Sequence, residues 1–202
     1  MSLLGAITPL GKVAHARSQW LQCVWAYIGS GAVSATIVGL SLGQIGYWLG
    51  RGYTTNKLYF VSLLSLLLAA REWGWINFRL PERRSQTEKV WAHQFGFLVA
   101  SAMWGFHIGL GFATWVMFGG FFTLVALAVV IGSPLYGGIL MFVYWLGRGL
   151  PVLCAPNLVA SPSVAAELPA TILRTRSLYR RITGFALIWS CGATLLAALR
   201  TR

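Results

Sequence analysis

The chain has 202 residues, of which 57% are hydrophobic and only 10% charged, with a mean hydropathy of +0.68. A soluble domain carries about 25% charged residues, so a water-soluble enzyme is excluded and a lipid-embedded protein expected. The 16 Lys and Arg against 4 Asp and Glu give a net charge of +12, but the basic residues stand between apolar stretches. That placement is a mark of membrane topology and argues against a nucleic-acid partner.

In chain order, residues 1–21 read as a cytoplasmic leader, because they carry Lys12 and Arg17 and lack a clean apolar run before a small-residue cleavage site. The first predicted span runs from Gln22 to Leu49 and stops at Arg51 and a polar turn; a second apolar run extends from Lys57 to about Phe78. The segment RLPERRSQTEK, from Arg79 to Lys89, holds a proline and six charges and is the clearest polar loop. No Asp, Glu, Lys or Arg then occurs until Arg148, a stretch more than twice the ~20 apolar residues that cross a bilayer. Within it, Val90 to Ile131 is too long for one straight helix and is interrupted by Gly105, Gly109, Gly111, Gly119 and Gly120, so it is either one broken crossing or a tight hairpin. Gly132-Ser133-Pro134 predicts a turn, and Leu135 to Ala155 the next span. Pro156 to Pro169, with three prolines, is expected to be a loop; a basic amphipathic segment, TILRTRSLYRR, leads into a last span from Ile182 to Leu199 and a basic tail at 200–202.

The expected fold is therefore an all-α, polytopic integral membrane helix bundle, with one transmembrane domain over 22–199. It has about five spans, or six if the glycine-rich stretch is a hairpin. With five, ten basic residues fall on one side (Lys12, Arg17, Arg79, Arg83, Arg84, Lys89, Arg174, Arg176, Arg180 and Arg181) and four on the other (Arg51, Lys57, Arg200 and Arg202). Arg71 and Arg148 lie within spans. The richer side faces the cytoplasm, which orients the N-terminus inward in a plasma (inner) membrane.

Gly39, Gly43, Gly46 and Gly50, and then Gly105 with Gly109, form GxxxG pairs that present bare backbone to neighbouring helices. Glu72 is a short carboxylate at a depth where a charge needs a partner. Arg148 across the bundle is the expected partner, with the adjacent Arg71 also available. His93 and His107 are fourteen residues apart, close to four helical turns, which places them on one helix face at a spacing like that of two-haem membrane helices. A bis-histidine haem needs further histidines, and His15 is the only other one, so ordinary helix histidines are expected. Cys23 and Cys154 fall near the cytoplasmic ends of their spans and could meet, while Cys191 sits midway along the last; without a CxxC or Pro-Cys setting they read as small apolar residues. Trp20, Trp25, Trp48, Trp73, Trp75 and Trp91 lie near span ends and read as an aromatic belt.

Two strings, GFHIGLGFATWVMFGG from Gly105 to Gly120 and GGILMFVYWLGRGLPVL from Gly137 to Leu153, resemble later membrane helices of the CcdA/DsbD family of cytochrome c biogenesis and thiol-disulfide transmembrane proteins. The resemblance rests on the glycine-rich entry of a broken helix and on Tyr144-Trp145-Leu146-Gly147-Arg148-Gly149-Leu150-Pro151. It implies a protein that assists cofactor, metal or reductant handling or transport across the membrane, beside a membrane or redox protein partner. The family's Pro-Cys pair is missing, so a redox reaction through its own cysteines is not expected. The alternative is a non-catalytic membrane subunit of a larger respiratory, photosynthetic or transport complex. No catalytic or metal-binding motif stands out, an enzyme is the less favoured reading, and no cofactor can be named.

Overall fold

Buried positions along the first apolar stretch recur at Trp20, Val24, Tyr27, Ile28, Ala35 and Val38, the spacing of one helix face, while Val33, Ile37 and Leu40 point outward and are exposed. The computed structural model describes residues 17–50, 55–78, 90–111, 119–154 and 162–200. These form six α-helices: α1 (Arg17–Trp48), α2 (Thr55–Glu72), α3 (Val90–Gly109), α4 (Gly120–Ile131), α5 (Pro134–Gly149) and α6 (Pro162–Arg200). A 3₁₀ turn, Leu150–Cys154, extends α5. Among the described residues three stretches are long and apolar enough to cross a membrane: Ser18–Trp48, Pro134–Leu153 and Ser177–Arg200.

The surface is apolar where a soluble protein would be polar. Phe60, Leu63, Val143, Phe185 and Trp189 are each more than half exposed, a distribution unfavourable in water and suited to hydrocarbon.

α1 is the axis of one layer and packs on both α3 and α5, whereas α2 packs along α6; α4 lies between the two groups and touches both. Close approaches fix the directions. Gly39 meets Gly137 and Gly43 meets Ser133, so α1 and α5 are antiparallel. Gly105 lies on Tyr27 and Gly109 on Gly31, so α3 runs in the same direction as α1. α4 turns into α5 through Gly132, which is left-handed at φ 60°, and Pro134 starts α5 where its missing N–H costs nothing. Phe121 stacks on Tyr144 across that hairpin, which makes α4 antiparallel to α5 and codirectional with α1 and α3. α3 lies along the first half of α1 and α4 reaches its end, where Gly46 meets Val129. The two helices are thus successive pieces of one path.

Two helix boundaries and the setting of one tryptophan differ from what the sequence predicts. The second apolar run ends as a helix at Glu72, because Gly74 takes φ 83° and turns the chain away. The stretch Pro156 to Pro169 is not loop throughout: α6 begins at Pro162, with a proline at the helix start where it fits, and continues unbroken to Arg200. Trp20 is not part of an aromatic belt but is buried against α1's own neighbours, while Trp25, Trp48 and Trp75 are exposed; the side chain of Trp91 lies outside the described residues.

Candidate functional site at the helix break

Where α3 gives way to α4, the second piece begins with free backbone N–H groups inside an apolar bundle. Glu72 meets them. Its Oε1 accepts from the Gly119 backbone N–H at 3.0 Å and from Arg71 Nη1 at 2.8 Å, and its Oε2 accepts from Arg180 Nε at 3.3 Å. Arg180 Nη2 also donates to the Arg71 carbonyl at 2.7 Å, and Arg71 Nε to the Phe78 carbonyl at 3.0 Å. The carboxylate is 1% exposed, so leaving it unpaired would be costly; two guanidiniums and the positive end of α4 offset that cost. Gly119 permits the approach, since even a Cβ there would stand 3.1 Å from the Leu68 side chain. The cluster ties the end of α2, the start of α4 and the middle of α6 together.

Glu72 is therefore answered by Arg180 and Arg71, and the expected pairing with Arg148 does not form. The sequence alone puts Arg180 in an amphipathic segment outside the last span, which conceals it as a partner. One continuous α6 lifts it to the level of Glu72. The general signal was present, since a membrane carboxylate needs a cation from a neighbouring helix, but spacing alone cannot choose between two arginines.

Beside this cluster lies a cleft of about 680 Å³ between α4, α5 and α6, within the ~300–1,000 Å³ range of ligand sites. Thr123 and Leu124 line it from α4, Tyr144 and Arg148 from α5, and Thr183 and Leu187 from α6. Thr123 is 3% exposed and its hydroxyl has no hydrogen-bond partner among the described residues. The hydroxyls of Ser34, Ser65 and Ser101 each donate to a carbonyl three or four residues back, and those of Ser62 and Thr194 meet each other at 2.6 Å, one donating to the other and the other to a carbonyl of its own helix.

The glycine faces are used as backbone contacts. Gly39, Gly43 and Gly46 press on Gly137, Ser133 and Val129, and Gly105 and Gly109 press on α1. Gly50 departs from the pattern: it stands beyond α1 at φ 128°, where its carbonyl accepts from Lys57 Nζ at 3.1 Å, so it ends the helix instead of packing it. Two small residues not singled out in the sequence belong to the same seam. Gly31 makes room for the ring of Trp145, whose Nε1 donates to the Ile28 carbonyl at 2.8 Å, and Gly137 faces Gly39.

The remaining candidates do not converge. His93 and His107 do not share a regular helix face, because Gly96 takes φ 77° and ψ 165° between them and breaks the helical register. The side chains of His93 and Cys154 lie outside the described residues. Cys23 is buried on α1 and Cys191 half-buried on α6, both as free thiols. Among the described residues no three His, Cys, Asp or Glu side chains gather as a metal site.

No family model matches the chain and no solved structure is similar to it. It is similar to proteins named methylamine utilization protein MauF. The relative from Paracoccus versutus is 30% identical over 154 residues, 75% of this chain and 56% of that protein. That from Methylophilus methylotrophus is 23% identical over 201 residues, covering 98% of this chain and 69% of the relative. In Paracoccus denitrificans the identity is 27% over 153 residues, again 75% of this chain and 55% of the relative. The chain thus spans little more than half the length of the two Paracoccus proteins. These findings overturn the likeness to the CcdA/DsbD family. The strings that suggested it are accounted for by packing: Gly105 and Gly109 seat α3 on α1, Gly137 faces Gly39, and Trp145 fills the space over Gly31.

Proposed function

We propose that this chain is a multi-pass membrane protein with an accessory role in methylamine utilization, of the kind its relatives' names describe. The observation that carries the reading is similarity to several such proteins over three quarters or more of the chain. In this reading one transmembrane domain occupies 22–199, flanked by a cytoplasmic leader at 1–21 and a basic tail at 200–202. It makes five crossings of the plasma (inner) membrane with the N-terminus cytoplasmic: α1, α2, the broken pair α3 and α4 as one, α5 and α6. Codirectional α1, α3 and α4 support that count, as does the position of Arg180 beside Glu72, which brings the basic segment of α6 to the same end as the basic loop after α2. The protein works beside a membrane or redox partner and supplies no cysteine pair of its own.

Exchanging the matched segment of the Paracoccus denitrificans MauF protein for this chain tests the reading. Growth on methylamine should persist. If the hybrid reaches normal membrane levels but growth on methylamine is lost, while growth on other substrates continues, the reading is wrong.

A further inference from the structure

We propose that the cleft between α4, α5 and α6 holds one anionic phospholipid of the surrounding bilayer, with its phosphate on Arg148 and an acyl chain along Leu124, Val143 and Leu187. The cleft opens on the apolar outer surface, where the lining residues Val143 and Tyr179 are both more than half exposed, so its occupant enters from the lipid.

Its two ends differ in chemistry. The hairpin register set by Phe121 on Tyr144 puts Thr123 and Arg148 near the start of α4, while Leu124, Ala186, Leu187 and Ser190 lead away from it. At the polar end Arg71 and Arg180 share one carboxylate, that of Glu72, and among the described residues no carboxylate forms a salt bridge with Arg148. Among the described residues that end is therefore net positive, which favours an anion. A phosphate diester offers only acceptors there, which suits a guanidinium fork.

Thr123 supplies the second, independent indication. It is the one buried hydroxyl among the described residues left without a partner, and it lines the cleft. An ester carbonyl or phosphate oxygen would accept from it. Depth is also suitable. Arg148 lies roughly 21 Å along α5 from Pro134 at helical rise, and its long side chain covers most of the remaining distance toward the far boundary of a ~30 Å hydrocarbon core. A zwitterionic phosphatidylcholine carries its own cation and loses the net attraction.

The proposal requires membrane insertion but not the methylamine reading, so the segment exchange above and the test below fail independently. The purified protein, exchanged into neutral detergent containing phosphatidylglycerol or phosphatidylcholine, is examined by native mass spectrometry. The wild type should retain one phosphatidylglycerol. Arg148→Ala should weaken that retention about tenfold, as expected for loss of a charge-assisted contact. Arg148→Lys should keep most of it and Thr123→Val should weaken it less. Arg181→Ala, an exposed arginine outside the cleft, should leave it unchanged. If Arg148→Ala does not fold, Arg148→Gln against Arg148→Lys carries the comparison. Equal retention of phosphatidylcholine, an unchanged Arg148 variant, or an equal effect of Arg181→Ala would overturn the proposal.

Discussion

The seam of α1 with α5 and α3 and the seam of α2 with α6 solve one problem by opposite means. In lipid, helices gain little from hiding apolar surface from one another, and association depends on close packing and interhelical hydrogen bonds. The first seam uses packing: glycines at 31, 39, 43, 105, 109 and 137 bring backbones together, and the Trp145 indole adds a bond to Ile28. The second uses polar groups. Ser62 and Thr194 hydroxyls meet at 2.6 Å near one end, and Glu72 joins Arg180 near the other. Steric fit is all-or-none, whereas a polar contact can be lost and partly replaced. The two seams should therefore respond differently to substitution.

The largest effect is expected in the glycine seam. Gly39→Leu would drive a side chain into the backbone of Gly137 and should destabilise the protein in detergent melting by about 3 kcal/mol. Gly29→Ala, with no atom near the added methyl, should stay within about 0.5 kcal/mol of the parent. Equal tolerance of both substitutions would mean that α1 and α5 do not touch.

In the polar seam, Arg180→Ala leaves Glu72 with Arg71 and the Gly119 amide. Because Arg180 is 38% exposed and partly screened, the loss should be about 1–2 kcal/mol rather than that of a fully buried pair. Glu72→Gln should cost less when added to that change than it does in the parent, since its bond to Arg180 is already gone. Simple addition of the two effects would show that the residues do not pair.

The smallest effect belongs to the hydroxyl pair. A double-mutant cycle with Ser62→Ala and Thr194→Val should give a coupling of about 0.6 kcal/mol, the average for such bonds between membrane helices. A coupling indistinguishable from zero would remove that bond from the account.

The two seams were also unequally legible in the sequence. Gly39, Gly43, Gly46, Gly105 and Gly109 stand at GxxxG spacing, which carries its own structural meaning, so the first seam could be read locally. Gly50 shares the spacing but not the role, because a helix end is decided by the backbone beyond it. The second seam depends on residues more than a hundred positions apart, and its register is set by α6 beginning at Pro162. Three prolines between 156 and 169 made that segment look like loop, and so hid Arg180 as the partner of Glu72. The cleft was illegible for a further reason. Nothing in the string around Thr123 distinguishes an unpaired hydroxyl from one bonded to its own helix.

Whether α3 and α4, joined at Glu72, are two pieces of one crossing decides how many times the chain passes the membrane. Reporter fusions placed after residue 85 and at residue 202 measure this directly. One broken crossing leaves five passes in all, so the two reporters should lie on opposite sides of the membrane, with residue 85 cytoplasmic. Both reporters on the same side would mean that the chain reverses between α3 and α4, and would contradict the account.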